Sequence, residues 1–236
     1  MVLPVGGDDD TAPGPAPGPG PGTGPESWTT FLPRQKVQHV ARPRQLIYRA
    51  GEPLEGVPVI CEGWAVCVSR LSDGRRQILA FLLPGDLIST NAVFTDRLDF
   101  FVEAVTEVRY ASCDRGELIK RLALEPATFD ALIGAMLTEK KQAIELATDL
   151  GRRSASERIA RLMLYLMARL DQRGLVQDNA FEIPLRQQHI ADATGLTPVH
   201  VNRVLGSFRN DGFIEVSDGR LKIVRLAALQ RIADIR

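Results

Sequence analysis

Short runs of alternating apolar and polar positions fill the first half of the chain. Apolar positions at helical spacing dominate the second, so strands are predicted first and helices after them. From about Lys36 to Asp114 the pattern is β. Val57 to Cys61 and Trp64 to Leu71 read as strands joined at Glu62-Gly63, Asp73-Gly74 marks a second turn, and Gln77 to Leu83 a third strand. Pro84-Gly85-Asp86 punctuates again, and Phe100 to Val105 and Val108 to Cys113 read as a further pair. Short strands at regular turns predict a small antiparallel roll or barrel.

The periodicity then changes. From about Pro126 to Leu150, Phe129, Leu132, Met136, Glu139, Ala143, Leu146 and Leu150 recur at alternating intervals of three and four, a heptad stripe with one polar member. This suits dimerisation through a two-stranded coiled coil; the competing reading is a single helix packed on its own roll. A second apolar set (Ile133, Leu137, Ile144, Ala147) flanks the first, so one set is available to the roll and the other to a partner. Ser154 to Arg173 predicts another amphipathic helix, with Ile159, Leu162, Met163, Leu166 and Leu170 inward and Gly174 as its stop.

Gln187 to Ser207, QQHIADATGLTPVHVNRVLGS, has the layout of a helix-turn-helix. Ile190 and Ala191 face inward on a first helix. Gly195 stands where a tight turn needs positive φ, and Leu196 fills the corner. Thr197 suits the N-cap of the second helix and Pro198 its first position, where a missing N–H costs nothing. Val201 and Val204 face inward. Pro198, Val199, His200, Asn202, Arg203 and Ser207 are left on a short, polar, cationic outer face that fits a DNA major groove. Asp211-Gly212 ends the helix. Phe213 to Val216 and Leu221 to Val224, joined at Asp218-Gly219, then form a hairpin wing whose Arg220 and Lys222 would meet phosphates. Leu226 to Ile235 predicts a short terminal helix.

The fold class expected is α+β. Residues 1–26, rich in Pro, Gly and Ala, are expected as a disordered tail, 27–125 as a sensory-type β-roll, 126–153 as the dimerisation helix, and 154–236 as the winged helix-turn-helix domain. Net charge is zero over 236 residues but unevenly spread. From Gly151 onward 14 Lys and Arg face 9 Asp and Glu, a net +5, which fits a nucleic-acid partner; the part before it carries −5. Three cysteines, Cys61, Cys67 and Cys113, are too few for a disulfide framework and suit a reducing cytoplasm. No apolar run approaches the ~20 residues needed to span a membrane, and no secretory signal is visible.

This layout resembles the Crp/Fnr family of bacterial transcription regulators over about Lys36 to Val224. The resemblance rests on Gly51-Glu52, Val59 to Val66, Gly74 and Pro84 to Ile88, followed by the winged helix-turn-helix. It implies a cyclic-nucleotide-binding-type roll, a homodimer joined by the long helix, a palindromic operator in double-stranded DNA, and RNA polymerase as a partner. It also directs attention to an effector pocket around Gly85, Asp86, Leu87, Ser89, Thr90 and Arg97. The departures matter. Members that bind cyclic AMP carry a Gly-Glu pair and later an Arg-Ser pair, for the ribose hydroxyl and the cyclic phosphate. Here Ser89-Thr90 occupies the first place and Leu98-Asp99 or Asp99-Phe100 the second, with Arg97 nearby. Oxygen-sensing members hold an iron–sulfur cluster with thiolates near the N-terminus, and this chain has no Cys before Cys61. Haem-binding relatives use an axial His or Cys, but His39, the only histidine outside the DNA-binding region, reads as structural or exposed; the three thiols read as small buried apolar residues, Cys67, near Arg70, being the least poor candidate for a redox switch.

In the recognition helix the family often places a Glu three residues before a Ser or Gly that precedes an Arg. Val199, Asn202 and Arg203 stand at those places. Guanine reading by Arg203 carries over, whereas an acidic contact to cytosine does not. Arg209 adds charge to the same helix. The competing class is a small-molecule or redox-sensing binding module that acts through protein partners. No metal-ligand cluster, nucleophile elbow or phosphate loop is present, so neither an enzyme nor a cofactor is implied.

Overall fold

The computed structural model describes residues 28–31 and 39–234. The segment 1–26, expected as a tail, lies outside them. An α+β architecture is observed, with a β-roll followed by helices and a small winged sheet. In the roll, β1 (His39–Ala41), β7 (Val108–Cys113) and β3 (Val57–Glu62) form one antiparallel sheet in that order. The other runs β2 (Leu46–Tyr48), β6 (Phe101–Ala104), β4 (Ala65–Arg70) and β5 (Arg76–Leu82). Val57, Val59 and Val108 of one sheet and Ala65, Cys67 and Val102 of the other bury their side chains in a common core.

Two of the expected strand pairs are not formed. β3 and β4 are consecutive but belong to different sheets, and so do β6 and β7. Their links are corners rather than hairpin loops. At Gly63 the backbone turns with φ 82°, and an added Cβ would overlap the Glu107 carbonyl oxygen. The neighbouring Trp64 N–H donates to Thr106 Oγ1 at 2.9 Å, and the Val105 N–H donates to the Trp64 carbonyl at 2.8 Å. The two corners therefore clasp each other. Both segments change sheet at the same level, which makes β3 pair with β7 and β4 with β6. Within the roll, β4 and β5 do form the expected hairpin, about Asp73 and Gly74.

α1 (Arg115–Leu124) was not anticipated; Asp114 caps it by accepting the Glu117 N–H at 2.8 Å. α2 (Pro126–Arg152) is the long helix. α3 (Ala155–Asp171) begins with a reciprocal cap between Ser154 and Glu157. Then come β8 (Ala180–Glu182), also unanticipated, α4 (Gln187–Thr194), α5 (Pro198–Asn210), β9 (Ile214–Ser217), β10 (Arg220–Ile223) and α6 (Leu226–Ile232). β8 and β9 flank β10 in a three-stranded sheet.

The stripe assignment on α2 is corrected. Leu132, expected at the dimer seam, is 2% exposed and packs into the roll beside Ala131, with Met136 against the same core. Glu139 points inward too, its carboxylate accepting the Thr90 N–H at 2.9 Å and the Thr90 hydroxyl at 2.6 Å. Leu146 is half-buried, and Leu150 lies against the Gly195 turn. Phe129 and Ala143 alone of that set are exposed, and the flanking Ile133, Leu137, Ile144 and Ala147 are exposed as well. Packing of Ala131 and Leu132 on the roll sets the rotation of the helix, and that rotation turns the second set outward.

β4 is apolar on both faces. Ala65 and Cys67 point into the roll, whereas Val66 and Val68 join Ile78, Phe81, Met163, Leu166 and Ile190 in a second core shared with the helical domain. Among the described residues no helix is long and apolar enough to cross a membrane.

Candidate nucleic-acid interface

Each link of the α4–turn–α5 unit follows from local chemistry. α4 buries Ile190 and Ala191 and ends at Gly195, which adopts the left-handed conformation (φ 65°, ψ 32°). The Leu196 N–H then closes on the Ala191 carbonyl at 3.0 Å. Thr197 Oγ1 accepts the His200 N–H at 3.3 Å, and Pro198 opens α5. Val201, Val204 and Phe208 are buried.

The face opposite is open. Thr197, His200, Asn202, Arg203, Ser207 and Arg209 are exposed, Val199 is 72% exposed, and Pro198 is half-buried. Ser207 is partly spent, since its hydroxyl donates to Asp211 at 3.1 Å. On the wing, Asp218 (φ 50°) and Gly219 (φ 75°) make the tight turn. Leu221 and Ile223 point in, so Arg220 and Lys222 point out. Arg203, Arg209, Arg220 and Lys222 form no ion pair with any described residue. One residue escaped the sequence reading: Gln187, at the start of α4, donates from Nε2 to Asn202 Oδ1 at 3.2 Å. Its contact joins two helices, and no periodicity announces it.

The expected effector residues do not converge on a free site. The Gly85 N–H bonds the Ile60 carbonyl at 2.8 Å, and Leu87 is buried. Asp86 accepts the Leu83 N–H at 2.7 Å and pairs with Arg169 of α3 and, at 2.5 Å, Arg173 in the turn just after it. Ser89 Oγ accepts the Asn91 N–H at 3.2 Å, and Thr90 is held by Glu139. Arg97 donates to the Gly51 carbonyl at 2.7 Å from an exposed position. Gly85 to Thr90 thus join the roll to α2 and α3, and their polar groups are taken by the chain itself. These residues do not fit a cyclic nucleotide, which needs a free carboxylate and a free cation side by side.

Cys67 lacks the exposed, cationic surroundings that activate a thiol. It is buried, and burial together with Glu139 and Asp86 pushes its thiol far above the ordinary value, away from the reactive thiolate. Arg70, expected beside it, pairs with Glu103 instead. Burial raises Cys113 to about 11. His39 is exposed and stacks on Tyr110 with ring centroids 5.2 Å apart. Among the described residues no group of three or more His, Cys, Asp or Glu is placed to hold a metal ion.

A second junction meets α4 directly. Arg76 of β5 pairs with the buried Glu103 at 3.1 Å and the buried Asp192 of α4 at 2.8 Å. Gln77 Nε2 donates to the Ala193 carbonyl at 3.1 Å. His189 lies nearby, and its desolvation and the Arg76 charge hold its imidazole below the ordinary value.

Residues 38–123 match a cyclic nucleotide-binding domain and residues 157–232 a Crp-like helix-turn-helix domain. The nitrogen fixation regulation protein FixK of Rhizobium meliloti is 30% identical over 82% of this chain and 85% of its own length. FixK of Azorhizobium caulinodans is 29% identical over 94% of this chain and 95% of its own. The structure of FixK2 from Bradyrhizobium japonicum superposes with a TM-score of 0.73 at 26% identity, covering 84% of this chain and 96% of that one.

Proposed function

We propose, from the premise that this chain belongs to the Crp/Fnr family of bacterial transcription regulators, that it is a homodimeric, sequence-specific DNA-binding regulator. The observation that carries this reading is the outer face of α5. It is exposed, bears Arg203 without an ion-pair partner, and is followed by a wing bearing Arg220 and Lys222. Two copies joined along the exposed apolar face of α2 would set two such helices against successive major grooves of a palindromic operator, ~34 Å apart. The cytoplasm, where the DNA lies, is then its place of action, and RNA polymerase the partner through which DNA binding acts on transcription.

The roll acts by holding the helical domain rather than by holding cyclic AMP. Its Pro84-Gly85-Asp86 corner is tied to α3, and Arg76 is tied to α4. Any effector changes DNA affinity only as far as it binds one arrangement of these junctions better than another.

Binding of purified protein to duplexes enriched from a random pool, measured across salt concentrations, tests the reading. The expected result is two chains per duplex, with log K falling linearly in log salt by about 0.9 for each phosphate contacted. Absence of salt-dependent DNA binding would instead favour action through protein partners.

A further inference from the structure

We propose that Gln187 is a specificity-determining residue that fixes which hydrogen-bonding edge Asn202 shows to DNA; the proposal rests on the reading of α5 as the recognition helix. Asn202 lies three residues after Val199 and one before Arg203, on the exposed face of α5. A free asparagine there reads adenine with both ends of its amide, Oδ1 accepting from N6–H and Nδ2 donating to N7. In this chain Oδ1 is turned toward α4, where Gln187 Nε2 donates to it at 3.2 Å. The carbonyl end is engaged and the NH2 end is left for the groove. Oδ1 has spent one lone pair and is turned toward α4, so the end Asn202 shows to DNA is its NH2, and the edges that satisfy it are acceptors: N7 and O6 of guanine, O4 of thymine or, singly, N7 of adenine.

The bond is local and inexpensive to form. Both side chains are exposed, and neither has another side-chain hydrogen bond among the described residues. Gln187 opens α4 and Asn202 lies in the second turn of α5, so the bond spans two elements that the Gly195 turn and the shared core already hold in place. Desolvation in a DNA complex strengthens the bond, because its alternative partner, water, is removed. Val199 adds an apolar contact on the same face, where a thymine methyl is the natural partner.

The test is binding-site selection from randomised half-sites, using the full chain and the variants Gln187→Ala, Gln187→Glu and Asn202→Ala. Circular dichroism checks that each exposed-site variant is folded. Wild type should enrich guanine or thymine at the base pair next to the guanine read by Arg203. Gln187→Ala frees the amide to rotate and should shift that position toward adenine, on the order of tenfold. Gln187→Glu can only accept a hydrogen bond, so it should pull Nδ2 inward and expose Oδ1. The preference should then invert to donor edges, cytosine N4–H or adenine N6–H. The rest of the motif should stay as in wild type. The proposal is overturned if both Gln187 variants return the wild-type motif while Asn202→Ala changes one position. It is also overturned if Asn202→Ala changes none, or if wild type itself selects a donor edge there. A wild-type protein that enriches no sequence overturns the DNA-reading proposal itself.

Discussion

Arg203 and His189 lie in neighbouring helices and act through opposite physics. The Arg203 guanidinium is exposed without an ion pair, so its two-pronged donor set is available to guanine N7 and O6. Arg203→Ala should cost ~1–3 kcal/mol of binding and relax one base pair of the selected motif. Lys222→Ala, at a phosphate-type position, should instead weaken all sequences alike and reduce the salt slope by about one. If selection returns the same motif for wild type and Arg203→Ala, the guanine assignment is wrong. His189 is half-buried, facing Arg76, Asp192, Glu103 and Arg44, and its imidazole is held below the ordinary 6.5 chiefly by desolvation and then by Arg76. The unfolded chain therefore takes up a proton first as pH falls through about 6.5. Stability should fall as pH drops through about 6.5, and His189→Gln should flatten that part of the profile. An unchanged profile of thermal midpoint against pH in that variant would show that His189 does not contribute.

At the scale of elements, the sequence spoke most clearly where structure is decided within one turn. Gly195, Thr197, Pro198 and the inward Val201 and Val204 act on immediate neighbours, so α4, the turn and α5 lie where their pattern put them. β3 and β4 were readable as strands, but their partners were not. Pairing is decided where the Gly63 corner meets Thr106 and Glu107, more than forty residues away in sequence. α1 was missed because Leu118 is its sole buried residue, leaving little periodicity to see. On α2 the spacing revealed two apolar sets but not their directions, because the contact of Ala131 and Leu132 with the roll chooses the rotation. That contact yields a paired prediction. Leu137 and Ile144 are 62% and 58% exposed, so if the proposed dimer forms along this face, Leu137→Lys with Ile144→Lys should leave the fold intact and convert a dimer to a monomer in sedimentation velocity. Leu132→Ala should keep the dimer and lose ~2–5 kcal/mol of stability to denaturant. The reverse outcome would restore the first set to the seam.

At the scale of the whole molecule, the question is how the roll is joined to the domain that carries the recognition helix. The two domains share an apolar core through the outer face of β4, and such a contact is non-directional and tolerates sliding. The polar ties at its edges are directional. Asp86, on the roll, accepts from Arg169 and Arg173, while Arg169 also donates to the Phe81 carbonyl and to Tyr165. Removing a single carboxylate leaves two guanidinium groups, each largely out of water, without their counter-charge. Losing one partner of a buried pair costs on the order of 3 kcal/mol, because the charge left behind is uncompensated. The cost falls on the junction and on neither domain alone. Asp86→Ala should therefore lower stability and also split a single calorimetric transition into two, as the roll and the helical domain begin to unfold separately. Arg97→Ala is the control, since its exposed side chain reaches the Gly51 carbonyl and, at 4.0 Å, the exposed Asp96, both within the roll; it should change stability by less than about 0.5 kcal/mol and keep one transition. If Asp86→Ala behaves like Arg97→Ala, the apolar contact alone couples the domains, and the charged corner is not the part through which the roll holds the reader of DNA.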